Sequence, residues 1–359
     1  MMDSTNFFLD SNAAFLLLLG FLQFLLFSWA FRNLPKENWQ FLAVIPNIEP
    51  GVDAHNGTNY TWYGLFLATG YVLGALMFLL LMGSIAVPWN ISLVVTVIVL
   101  AVCTPLSSII ARLVEGKKFT LTVGGAVFGG LLISPWIVHL LNMQAGTFLG
   151  YNVPVLPTMA AMAIAYGVGE GTGRLACISF GCCYGKSVND LPSGLRKLLS
   201  PIGMTFSGKT KKIAYAHSLD GHAVVPIQAM TAIVYSATSL YGSWLFLNSS
   251  FEAAFTIVIG ISQGWRILSE FLRADYRGNN KFTSYQRMSL LSLPYAAGLL
   301  FFFPQSAMSA PSIEAGLKSI WSPGMILFLQ GLWAIIFLYT GKSKVTAARI
   351  SFHVVKDRI

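Results

Sequence analysis

The sequence predicts an all-α polytopic integral membrane protein of about eight to nine transmembrane helices. Three observations carry that reading. Hydrophobic residues make up 55% of the 359 positions and charged residues only 10%, against roughly 25% charged in a soluble domain. The apolar residues also gather into runs of about 20, the length that crosses a bilayer as a helix. Finally, 23 Lys and Arg with 14 Asp and Glu are too few to cover the surface of a water-soluble protein this size. The same composition excludes a disordered chain, a coiled coil and a disulfide scaffold.

In chain order the runs are 13–31, 61–83, 90–111, 120–141, 156–180, 226–247, 253–272, 285–303 and 322–340. The first is followed by Arg32, Asn33 and Pro35 and lacks a small-residue cleavage pattern, so we read it as a retained helix, with a signal peptide as the alternative. Most connections are short; 32–60 and 183–225 are long enough to build something outside the bilayer. The expected organisation is an extra N-terminal helix with an arm-like loop over 1–60, a transmembrane core over 61–341, and a basic tail over 342–359. Within the core, 183–225 forms a small extramembrane head.

The net charge of +9 would suggest nucleic acid in a soluble protein. Here the basic residues flank apolar runs, where they orient the chain and touch anionic lipid, so no nucleic-acid partner is expected. Of the 23 Lys and Arg, 20 fall on the face that receives both long loops and the tail. Only Lys318 falls on the other, while Arg174 and Arg266 lie inside runs. Basic loops stay in the cytoplasm, which places the tail and both long loops there.

Charges inside a span cost about 3 kcal/mol each unless paired or facing a wet cavity. Two runs carry them. In Gly167-Val-Gly-Glu170-Gly-Thr-Gly173-Arg174, Glu170 and Arg174 share one helix face, and the glycines let another backbone or a ligand come close. In the second, Arg266, Glu270 and Arg273 follow the i, i+4, i+7 stripe of one face. Structural salt bridges between helices are one reading. The other follows from count: three arginines outnumber two glutamates, leaving a positive pocket if all converge. Guanidinium forks match phosphate oxygens, which points to a phospholipid headgroup.

Three of the four cysteines, Cys177, Cys182 and Cys183, lie within seven residues. Cysteine packs well as a small hydrophobe, and a thiolate favoured by Arg174 or Lys186 can serve as nucleophile or redox handle. Zinc takes four N/S ligands, and three cysteines without a nearby His fall short, so no metal is expected.

The run Gly173-Arg174-Leu-x-Cys177-x-x-x-Gly181-Cys182-x-x-Gly185 resembles the signature of the prolipoprotein diacylglyceryl transferase family, in which Gly-Arg-x-x-Asn leads to Gly-Glu-x-x-Gly. Trp62-Tyr63-Gly64-Leu65 resembles the opening of the family's first conserved helix. Gly125-Ala-Val-Phe128-Gly129-Gly130-Leu131 is similar to Phe-His-Gly-Gly-Leu, Pro226-Ile-Gln228 to His-Pro-Ser-Gln, and Arg266-x-x-x-Glu270-Phe-x-Arg273 to Arg-x-x-x-Glu-Phe-Phe-Arg. Together these span about 61–300. The departures are specific: Phe128 stands at the family's His, Cys177 at its signature Asn, Cys182 at its signature Glu, Val225 at the His of His-Pro-Ser-Gln, and Ser262 at a Tyr.

The resemblance implies a multi-pass protein of the bacterial plasma membrane. It would move a diacylglyceryl group from phosphatidylglycerol to the thiol of a lipoprotein precursor and release glycerol phosphate, with no cofactor. It carries Arg174, Arg266 and Glu270 over into the reacting set, to which our reading of the residues adds Glu170, Cys177 and Cys182. Tyr63, Gly173, Gly181, Gly185, Gln228 and Arg273 hold the substrate. With the family His replaced, candidates for the base are Glu170 and a thiolate at Cys177 or Cys182. The resemblance also implies a site open to the periplasm, whereas the Lys and Arg distribution turns the equivalent face to the cytoplasm. Two further readings remain: the same phospholipid donor with a different, cytoplasmic-side acceptor, and a phospholipid-binding or transport protein without catalysis.

Overall fold

Apolar chain in a bilayer satisfies its backbone groups internally, so long runs become helices. In the computed structural model, positions 120–122 of the fourth run lie outside the described residues, and otherwise every predicted run lies, to within a residue at its ends, in a long helix. These are α1 (Ser11–Asn33), α2 (Trp62–Ser84), α3 (Trp89–Glu115), α4 (Val123–Leu149), α5 (Val155–Phe180), α8 (Ile227–Leu247), α9 (Phe251–Leu272), α10 (Ser284–Phe302) and α12 (Pro323–Thr340). Short helices α6 (Ser193–Leu199), α7 (Lys212–His217) and α11 (Ile313–Ile320) lie between them. The structure describes residues 10–48, 50–51, 54–115, 123–275, 282–304, 308–343, 349–351 and 357. Lys117, Lys118, Arg277, Lys281, Lys344, Lys356 and Arg358, used in the charge count, lie outside the described residues.

Five of the nine long helices, α1, α2, α3, α4 and α12, are long and apolar enough to cross a membrane. The other four carry more polar residues for a reason visible in the packing. Helix α5 lies against α2, α8 and α9, and most of its residues are buried, Arg174 among them. A helix surrounded by protein need not be apolar toward lipid. The outer helices show the opposite pattern: Leu17, Phe21 and Phe24 on α1 and Leu327, Ile335 and Leu338 on α12 are exposed, as lipid-facing side chains are.

Close approach between helices is set by glycine. A Cβ on Gly70 would stand 2.7 Å from the Gly169 carbonyl oxygen and 3.0 Å from the Gly173 nitrogen. On the other side of α5, a Cβ on Gly167 or Gly171 would collide with the hydroxyls of Ser239 or Ser236. The alternating glycines of the 167–173 run therefore serve two interfaces, with α2 and with α8, through small-residue pairs spaced by four.

The arm and the tail meet in a small sheet that the all-helical expectation did not contain. Strand β1 (Phe41–Asn47) pairs antiparallel with β2 (Ala54–Thr61). Strands β5 (Lys342–Ser343) and β6 (Arg349–Ser351) return from the C-terminal segment to pair antiparallel with β2. The Thr61 side chain caps α2 by accepting from Gly64 N and donates to the Gly341 carbonyl, which ties the start of α2 to the end of α12.

In the head, β3 (Met204–Thr205) pairs antiparallel with β4 (Ala223–Val224). Phe206 and Ile213 join Leu34, Phe66 and Leu175 in one buried cluster, so the head is packed on the helices. Lys211 pins this contact. It is fully buried, and its Nζ donates to the carbonyls of Leu34 (3.1 Å) and Ser179 (2.7 Å). Burial pulls its pKa from the ordinary 10.5 down to about 8, against an opposing pull from Glu37.

Between about pH 8 and 10.5 the unfolded chain holds a proton that the folded lysine has released, so stability rises with pH across that window. Replacing Lys211 with Met leaves two buried carbonyls without their donor, at a cost of about 2 kcal/mol. Thermal unfolding in detergent should show the wild type losing its lead over Lys211→Met as pH falls through this window, because below it the wild type carries the full cost of a buried charge.

Candidate functional site

The site is built where α2, α5, α8 and α9 meet, toward the ends that carry both long loops. Helix α5 supplies Glu170, Arg174 and Cys177 in successive turns. It stops at Gly181, whose φ of 70° gives the left-handed C-cap that only glycine adopts without strain. The backbone then doubles back. Gly185 N donates to the Val225 carbonyl, Lys186 N to the Leu272 carbonyl, and Ala274 N to the Tyr184 carbonyl. These bonds fasten the turn after α5 to the start of α8 and the end of α9.

Arg174 and Glu170 form a buried ion pair one helical turn apart, as their spacing predicts. Arg266, arriving on α9, donates to the Tyr166 hydroxyl at 3.2 Å. The two guanidinium groups are close enough to repel each other, and Arg266 also feels Glu170, Tyr166 and Tyr235. Groups from two distant stretches thus converge on one place. Buried Nε atoms of both Arg174 and Arg266, and Oε2 of Glu270, have no hydrogen-bond partner. Such orphans cost about 1–3 kcal/mol each and are what a bound group would satisfy.

Two expectations need correction. The Arg266, Glu270, Arg273 ladder does not continue along one helix face, because α9 ends at Leu272 and Arg273 has extended backbone. Its pairing with Gly185 draws it off the helix. The surplus of positive charge is also smaller than three arginines over two glutamates. Asp275 takes Arg273 in a two-pronged pair, Nε to Oδ1 at 2.7 Å and Nη2 to Oδ2 at 2.8 Å. Arg174 and Arg273 are thereby each matched by a carboxylate. Arg266 keeps a phenol partner instead.

The remaining candidates separate into two groups. Tyr63 lies edge-on to Phe180, ring centroids 5.7 Å apart, and within electrostatic reach of Cys177, Cys182 and Cys183. Gln228 donates to the Cys182 carbonyl at 2.7 Å, and its Oε1 is buried without a partner. Both sit beside the cysteines at the end of α5. Gly181 and Gly185 are fitted to the fold: a Cβ would stand 3.0 Å from Lys211 Cβ at the first and 2.6 Å from the Val225 backbone at the second. A Cβ on Gly173 would meet open space.

Composition and spacing did not single out Tyr166 and Tyr235. They stack edge-on with centroids 5.6 Å apart, and the Tyr235 hydroxyl donates to the Ser262 carbonyl at 3.2 Å. A phenol from α8 therefore reaches the position at which the family resemblance expects a tyrosine on α9. The signal available in the sequence was only a tyrosine four residues before Glu170. Phe128 lies on α4 one turn beyond Gly124, whose Cβ position is 3.3 Å from Arg266 Nη2. The residue standing at the family's His is thus an apolar ring on the helix that flanks Arg266.

A comparison with curated proteins found no match to the chain. The family model described as prolipoprotein diacylglyceryl transferase matches residues 54–303, well over half of the chain and all the helices that build this site. That family is one of membrane transferases of lipoprotein biosynthesis. The match and the convergence of Arg174 and Arg266 lead to one conclusion: the chain belongs to the prolipoprotein diacylglyceryl transferase family.

Proposed function

We propose that the chain transfers the diacylglyceryl group of phosphatidylglycerol to an acceptor thiol, the thiol of a lipoprotein precursor in the first instance. One observation carries the reading: Arg174 and Arg266 meet in a single buried place with their Nε atoms unsatisfied. The lipid phosphate accepts from both guanidinium groups. The acceptor sulfur attacks the glyceryl carbon that bears the phosphate. An S–C bond forms, the C–O bond breaks, and glycerol phosphate leaves with the electron pair. The arginines stabilise charge on the departing phosphate. Glu170 is already committed to Arg174, so the thiol proton passes to Glu270, whose Oε2 is buried and unpartnered.

A second reading keeps the donor and changes the acceptor. Phe128 at the family's His and the 20 basic residues on the face of the long loops favour an acceptor met in the cytoplasm. The deciding experiment uses membranes from cells depleted of their own transferase and expressing this chain. They receive phosphatidylglycerol labelled in its diacylglyceryl part and a prolipoprotein peptide. Label in the peptide supports the first reading. Released glycerol phosphate with an unlabelled peptide supports the second, and no release overturns both.

A further inference from the structure

The reaction above leaves a cluster of thiols unused. Cys177, Cys182 and Cys183 place their three Sγ atoms within 4.8 Å of one another. The turn after α5 creates this arrangement. Gly181 has a φ of 70° and Cys183 one of 59°, and the Cys182 N–H bonds back to the Cys177 carbonyl at 3.0 Å. Two left-handed residues in three coil the chain over its own helix end and bring 182 and 183 beside 177. Left-handed backbone at a non-glycine residue is uncommon and costs about 1–3 kcal/mol, and in this turn it gathers sulfur.

We propose that Cys177, Cys182 and Cys183 form a binding site for a soft monovalent cation of the copper(I) class, held by three thiolates. The expectation that no metal binds rested on the four ligands zinc requires. Copper(I) is selected by thiolates and is satisfied by three. Sulfurs around a trigonal ion stand about 4 Å apart for a metal–sulfur bond of about 2.3 Å, which small side-chain movements reach from the spacing present. Cys182 is buried while Cys177 and Cys183 are half-buried, so the cluster is shielded yet reachable.

Charge supports the same assignment. A monovalent ion on three thiolates carries two negative charges, and the Cys183 sulfur faces two guanidinium groups, Arg273 and Arg174. Gln228 fixes the turn by donating to the Cys182 carbonyl. As three S–M bonds form, three S–H protons leave to solvent, and no electron changes hands.

The test is independent of the lipid reading. The full chain, purified in detergent, reduced and kept free of oxygen, is titrated with copper(I) against a coloured copper(I) chelator. The expected result is one ion withdrawn per chain, lost in Cys183→Ser and retained in Cys103→Ser. Because a serine in the turn can disturb folding, maleimide labelling of the wild type gives a second readout, with copper(I) shielding Cys177, Cys182 and Cys183. Copper(I) left with the chelator, binding that survives Cys183→Ser, or labelling of those three sites undiminished by copper(I) would overturn the proposal.

Discussion

Arg266→Ala should lower diacylglyceryl transfer by about 10²- to 10³-fold, the usual consequence of removing one donor from a charge-stabilising site. Among the described residues no carboxylate forms an ion pair with Arg266: it donates to the Tyr166 hydroxyl, and its Nε is buried and unsatisfied. Its charge is therefore available to a ligand, whereas part of Arg174's is already answered by Glu170. Arg266→Lys should recover little, since an ammonium cannot present the same planar fork. The measurement is the rate of label transfer in membranes holding equal amounts of each variant. A rate within twofold of wild type for Arg266→Ala would remove Arg266 from the site.

Gly70→Val is expected to have the largest effect on the fold. Gly70 and Gly74 on α2 face Ala165, Gly169 and Gly173 on α5, with backbone atoms where a Cβ would be. Backbone cannot rotate away as a side-chain tip can, so a branched side chain must push α2 and α5 apart. Overpacking of this kind costs about 1–3 kcal/mol and sometimes more; here it also separates the two helices that carry Tyr63 and the Glu170–Arg174 pair. Monodisperse protein recovered in detergent should fall to a small fraction of wild type. Gly173→Ala is the matched control, because its Cβ meets open space, and it should be recovered normally. Equal recovery of Gly70→Val would show that the α2–α5 contact is not as close as described.

The helices were legible because a run of about 20 apolar residues has few other uses, and the paired charges of α5 because four residues make one turn. What escaped has physical causes. The pairing of 54–61 with 342–343 and 349–351 joins partners 282 to 297 residues apart in the chain, and no local periodicity reports such pairing. Asp275 lies beyond the end of α9, so a helical-face argument drawn on Arg266, Glu270 and Arg273 could not include it. Tyr166 and Tyr235 read as ordinary aromatic residues of apolar helices; only packing shows that they surround Arg266. Lys211 looked like one more loop lysine in a basic segment, yet its ammonium is enclosed between the turn after α1 and the end of α5.

The most direct test of the central claim is retention of lipid by the protein itself. Native mass spectrometry of the chain exchanged into detergent with phosphatidylglycerol should show one lipid bound per wild-type molecule. That peak should vanish in the Arg174→Gln, Arg266→Gln double variant, whose side chains remain long and polar but uncharged. Equal retention by the two proteins would contradict a phosphate held between α5 and α9.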